Sequence, residues 1–192
     1  MSVTRLYRKY IYCLEGEWER LPSRKTMRPA LEFLEQLTKP SIQFVHRNCI
    51  SRDSLRQYFS MLKEKTFRDY IIVYLAFHGK KHCIQVGNDL VSLDDLVELA
   101  DGAFKNRIVY FGACNTLGIT KADVKDFIID SGAVAVCGYK TKVDFMKSSV
   151  LDLLFFEKCQ HYKRISALDN NFRTEYSKQV DDLQFQLIHR KS

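Results

Sequence analysis

At 192 residues the chain is long enough to bury a core without disulfides or metals to hold it together. Its 46% hydrophobic and 28% charged residues are those of an ordinary globular protein. No apolar run approaches the roughly 18 residues a membrane helix needs. The N-terminal MSVTRLYRKYIYCLEGEW has only a short apolar stretch, broken by Glu15, so neither a membrane partner nor a signal peptide is expected and the protein reads as cytoplasmic. The formal charge is +7, with seven Lys and Arg against three Glu in residues 1–28. Such a charge permits an acidic or nucleic-acid partner. No dense basic run or aromatic–basic alternation calls for nucleic acid. Oligomeric state is not legible.

In chain order, continuous apolar runs predict strands buried on both faces at Tyr10–Leu14, Ile42–His46, Tyr70–Phe77, Arg107–Phe111 and Ala133–Gly138. Helical spacing predicts helices over Pro29–Leu37, Ser51–Lys63, Ser92–Ala100, Lys121–Asp130 and Lys147–Cys159, then one over roughly Ala167–Ile188. Ser51, Ser92 and Thr120 are the expected N-caps. His82–Val86 and Asp89–Val91 read as a hairpin turning at Gly87-Asn88. Strand–helix alternation implies an α/β fold with a mostly parallel sheet covered on both faces, in a single domain over residues 1–192. The segment from about residue 164 to 192 is expected as a C-terminal helix. Its stripe of Phe172, Tyr176, Val180, Leu183 and Leu187 packs on the domain or docks a partner.

In such sheets chemistry collects beyond the carboxyl ends of the strands. There YLAF ends in His78-Gly79, and RIVYF ends in Gly112-Ala113-Cys114, 36 residues on. Adjacent parallel strands would bring the imidazole and the thiol to one edge, as a thiol nucleophile requires. The backbone N–H groups of Gly79 and Cys114 would then form an oxyanion hole. Read singly, a strand-end histidine is commonly structural and a strand-end cysteine a buried hydrophobe.

The six cysteines are widely spread with no CxxC pair, so neither a zinc cluster nor a disulfide framework is expected. His82 and Cys83 are adjacent in a strand and point to opposite faces, so they do not share one ion. No metal and no cofactor is expected. The sequence after the first strand, LEGEWERLPS, lacks the Gly-rich loop of a nucleotide-binding flavodoxin-like domain.

The pair YLAFHG and VYFGAC resembles the signature of the caspase-like, or clan CD, cysteine peptidases, which include caspases, legumains, clostripain, separases and bacterial CHAT domains. The motifs span about residues 70–146. The resemblance implies a three-layer α-β-α sandwich with the caspase-like (caspase/hemoglobinase) fold, a His78–Cys114 dyad and a protein or peptide substrate. The cysteine motif here is Gly-Ala-Cys-Asn-Thr rather than the Gln-Ala-Cys of true caspases. No second, small-subunit-like segment follows, which brings the match nearer to short bacterial CHAT-like proteins. In separases and CHAT proteins a Trp-x-Val-x-Asp segment supplies an acid to the pocket for the substrate's first side chain. Here GYKTKVDF places Asp144 there without the Trp. A carboxylate beside the nucleophile favours Arg or Lys; equally, Asp144 reads as the N-cap of the following helix. Glu15, just beyond the first strand, is the other acid expected to line the pocket or to start a loop. Asn115 and Thr116 orient the histidine or cap the next segment. Two functions stay open: a thiol endopeptidase cleaving after a basic residue, and a non-catalytic caspase-like interaction module in a stress or defence pathway.

Overall fold

The computed structural model describes residues 7–19 and 25–190; residues 1–6, 20–24 and 191–192, with part of the basic N-terminal segment, lie outside the described residues. The chain runs β1 (Ile11–Glu15), α1 (Arg28–Leu37), β2 (Phe44–Asn48), α2 (Arg52–Leu62), β3 (Ile72–Ala76), β4 (His78–Lys80), β5 (Cys83–Val86), β6 (Asp89–Ser92), α3 (Leu93–Ala100), β7 (Ile108–Phe111), α4 (Lys121–Ser131), β8 (Ala135–Tyr139), α5 (Phe145–Cys159), α6 (Ile165–Glu175), α7 (Ser177–Asp182) and β9 (Phe185–His189). Six strands form one sheet in the order β2-β1-β3-β7-β8-β9, parallel throughout except for the antiparallel β8–β9 pair. Strands β4, β5 and β6 form a separate small antiparallel sheet.

Every residue of β1, β3, β7 and β8 is buried, because helices cover both faces. Alternate residues serve opposite layers. Tyr12, Leu14, Val73, Leu75, Val109 and Phe111 pack with Leu55, Phe59, Leu96 and Phe127 of α2, α3 and α4. Ile11, Cys13, Ile72, Tyr74, Ile108 and Tyr110 pack with Leu31, Phe155, Phe156 and Phe172 of α1, α5 and α6. The result is a three-layer α-β-α sandwich. Ser51, Ser92 and Thr120 each accept the third helical N–H of α2, α3 and α4 in a capping box, which explains why these helices start where they do.

The expected hairpin turning at Gly87-Asn88 is present and extended by a third strand. It is the outer part of a three-stranded sheet, because His78-Gly79-Lys80 pair with Cys83–Gln85. One expectation of the fold needs correction. The long C-terminal helix over Ala167–Ile188 is instead α6, α7 and an edge strand. Its apolar stripe at four-residue spacing is real as far as Leu183. Gln184 then takes a left-handed conformation (φ 49°), which ends the helix. Beyond it Phe185 and Leu187 face one layer while Ile188 faces the other, a period of two.

Candidate active site

The carboxyl ends of β1, β3, β7 and β8 lie side by side in register: Glu15 beside Ala76, Leu75 beside Phe111, and Phe111 beside Gly138. His78 leaves the end of β3, and Cys114 follows β7 by three residues. Both line one cavity of about 650 Å³, together with Trp18, Tyr74, Asp144 and Asp152. His78 is exposed and Cys114 half-buried.

Two glycines make the close packing at this edge possible. A Cβ on Gly79 would stand 2.2 Å from the Cys114 carbonyl oxygen and 2.4 Å from Thr116 Oγ1. A Cβ on Gly112 would stand 2.4 Å from the Tyr74 ring. Only glycine lets the β4 backbone pass the cysteine loop at this distance. Thr116 fastens that loop to the small sheet: its hydroxyl donates to the Cys83 carbonyl (3.1 Å), and its own carbonyl accepts from the His82 N–H (3.2 Å). Thr116 therefore ties the cysteine loop to β5. Asn115 sits in the left-handed region (φ 58°) and shapes the turn after the cysteine. The Cys114 sulfur meets the loop after β8, accepting from the Val143 N–H at 3.5 Å and lying 3.6 Å from the Val143 carbonyl.

The His78 Nε2 is hydrogen-bonded to the Trp18 carbonyl. A carbonyl can only accept, so Nε2 carries the hydrogen, and the neutral ring keeps its lone pair on Nδ1. The indole of Trp18 packs edge-on against His78 (centroids 5.4 Å, 74°) and against Phe145 (5.1 Å, 76°).

The acids divide. Asp144 is exposed and caps α5, Oδ1 accepting from the Lys147 N–H at 2.9 Å, while also lining the cavity. Glu15 does not line that cavity; it is 2% exposed and borders the neighbouring one. Its carboxylate is consumed by four donors: Trp18 Nε1 (2.5 Å), Thr26 Oγ1 (2.6 Å), the Met27 N–H (2.7 Å) and His46 Nε2 (2.5 Å). Burial by itself would raise its pKa; the donors, His46 foremost, outweigh burial and hold it below the usual value.

Asp152, which sequence reasoning passed over, forms the cavity floor. It is fully buried on α5 and accepts hydroxyl hydrogens from Tyr74 (2.6 Å to Oδ2) and from Tyr110 and Tyr139 (both to Oδ1). Burial raises its pKa to about 6, the three phenols partly offsetting the shift. Its signal was available only jointly, as tyrosines on three neighbouring strands facing the same layer. Burial also pushes the thiols of Cys13, Cys49, Cys83, Cys137 and Cys159 up, so these five are held protonated.

Residues 8–189 match the model of a family described as a family of unknown function, DUF6642. The chain belongs to the DUF6642 family. No curated protein matches it by sequence. Among solved structures the fold is similar to that of a secreted C11 cysteine protease from Bacteroides thetaiotaomicron, determined in complex with an irreversible peptide inhibitor. The TM-score is 0.59 at 11% identity, over 89% of this chain and 59% of that one. This member of DUF6642 thus spans less than two thirds of that protease and shares its caspase-like fold. No helix among the described residues is long and apolar enough to cross a membrane.

Proposed function

We propose that the protein is a thiol endopeptidase of the caspase-like class, working through a His78–Cys114 dyad. The observation that carries this reading is that both side chains line one cavity beyond adjacent parallel strands β3 and β7. The Cys114 sulfur attacks the scissile carbonyl, forming a C–S bond. His78 Nδ1 takes the thiol proton and returns it to the leaving amine as the C–N bond breaks. Water then hydrolyses the thioester and regenerates the thiol. The N–H groups of Gly79 and Cys114 are the proposed oxyanion donors. For Gly79 the hairpin register supports this role. In a hairpin closed by two residues the pair beside the turn, Lys80–Cys83, is hydrogen-bonded, so the Gly79–Ile84 pair is not, and the Gly79 N–H faces away from β5.

The proposed substrate is a peptide with a basic side chain at the cleavage position. Asp144 at the rim and Asp152 at the floor are its acceptors. Asp152 Oδ2 takes one phenol hydrogen where Oδ1 takes two, which leaves Oδ2 room for a further donor. Within the class, the proposed relatives are short CHAT-like proteins, because no small-subunit-like segment follows Cys114, and the proposed compartment is the cytoplasm. The test is hydrolysis of Arg- and Lys-containing peptides: Cys114→Ala and His78→Ala each abolish it, and full activity in Cys114→Ala rules the mechanism out.

A second reading, an interaction module without catalysis, is favoured by one feature. A groove of about 500 Å³ between α1 and α5 leaves Phe33, Leu37 and Val150 exposed. Selective thiol chemistry at Cys114 that depends on His78 separates the two readings in favour of the first.

A further inference from the structure

The Glu15 cluster stands outside the cavity, yet what holds His78 leads back to it. The His78 ring has two neighbours from one residue: the Trp18 carbonyl, which accepts from Nε2, and the Trp18 indole, which packs edge-on against it. Trp18 lies on an irregular segment after β1, where no ladder fixes its backbone. Its indole N–H is anchored by Glu15 Oε1. Glu15 in turn binds the other end of the same segment through the Thr26 hydroxyl and the Met27 N–H, and is braced from β2 by His46. Because β1 and β3 run parallel with Glu15 beside Ala76, this anchor is set two residues from the position where His78 emerges.

We propose that Glu15, braced by His46, is the positioning residue of the dyad: through Trp18 it sets the tautomer and the orientation of His78. This inference rests on the peptidase reading above. A buried carboxylate and histidine are expensive to desolvate, and an apolar pair would fill the same space at no greater cost. What the carboxylate supplies, and an apolar side chain does not, is an acceptor for the indole N–H and for both ends of the segment. With Trp18 fixed, its carbonyl holds the hydrogen on Nε2 and turns the Nδ1 lone pair to the thiol. With Trp18 loose, His78 is an exposed ring at a strand end with no preferred tautomer.

The experiment is site-resolved alkylation of the intact chain by iodoacetamide as a function of pH, with thermal unfolding measured alongside. Glu15→Gln keeps the volume but turns an anion with four donors into an amide. Trp18→Phe removes the indole N–H and trims the half-buried ring while keeping an aromatic side chain, and it keeps the protein testable if the Glu15 variant fails to fold. In each, Cys114 alkylation at neutral pH falls on the order of tenfold or more and its pH midpoint moves upward, because a misplaced base loses that much rate. His78→Ala shows the larger loss. If His78→Ala slows Cys114 while Trp18→Phe and folded Glu15→Gln leave its rate and midpoint unchanged, the dyad stands and the positioning role is wrong. If His78→Ala has no effect, the dyad itself is absent and the positioning role falls with it.

Discussion

At pH 7 the Asp152 carboxylate is ionised among three phenol donors, although burial has moved its pKa to about 6. The sign of its effect on stability follows. The unfolded chain releases this proton near 3.8 and the folded chain near 6. Between those values the fold binds more protons, so this group's contribution to stability falls as pH rises through that window. Urea unfolding of the wild type should therefore weaken more between pH 4 and pH 7 than that of Asp152→Asn, by an amount on the order of a few kcal/mol. Parallel pH profiles for the two proteins would show that the carboxylate does not titrate there. Asp152→Asn should also shrink the preference for Arg or Lys peptides over neutral ones, since its amide is a poorer acceptor for a cation. The sequence did not single this residue out, because an acid within LDLLFF reads as the polar face of a helix. Only the placement of Tyr74, Tyr110 and Tyr139 on adjacent strands turns that face inward. Glu15 was legible as an acid at the right edge. Its capture by four donors was not, because His46, Thr26 and Met27 come from separate parts of the chain.

Among the elements, β4 carries a tight constraint beside the cysteine loop. A methyl group on Gly79 meets the Cys114 carbonyl and the tethered Thr116 hydroxyl, neither of which is the free end of a flexible chain. Gly79→Ala should therefore cost about 1–3 kcal/mol through overpacking and slow Cys114 alkylation, because relief requires β4 to part from the cysteine loop. Gly102→Ala is the control. Unlike Gly79 it sits at positive φ (80°), and nothing lies within 4 Å of its Cβ position, so it loses stability without changing the thiol. Equal alkylation rates in the two variants would remove the close approach as a requirement of the site. The helices with capping boxes could be read from sequence because Ser51, Ser92 and Thr120 announce them locally. Strand β9 could not, since Val180, Leu183 and Leu187 fit a helical repeat until Gln184 reverses the backbone. Its partner β8 lies some 50 residues away and leaves no local trace.

For the molecule as a whole, alternating apolar strands and amphipathic helices made the parallel sheet legible, and the sheet decided where chemistry could collect. What the sequence could not supply is how the loops at that edge close around a cavity, which depends on contacts among β1, β3, β7 and β8 together. The six thiols offer a built-in comparison for the central claim. Four are buried, while Cys83 and Cys114 are both half-buried, so accessibility alone gives these two similar rates. The decisive measurement is the alkylation rate of every cysteine, resolved by mass spectrometry, in the wild type and in His78→Ala. The dyad predicts that Cys114 reacts well ahead of Cys83 in the wild type and slows markedly when His78 is removed, while Cys83 does not. A Cys114 rate no faster than that of Cys83, or a Cys114 rate unchanged in His78→Ala, would contradict it.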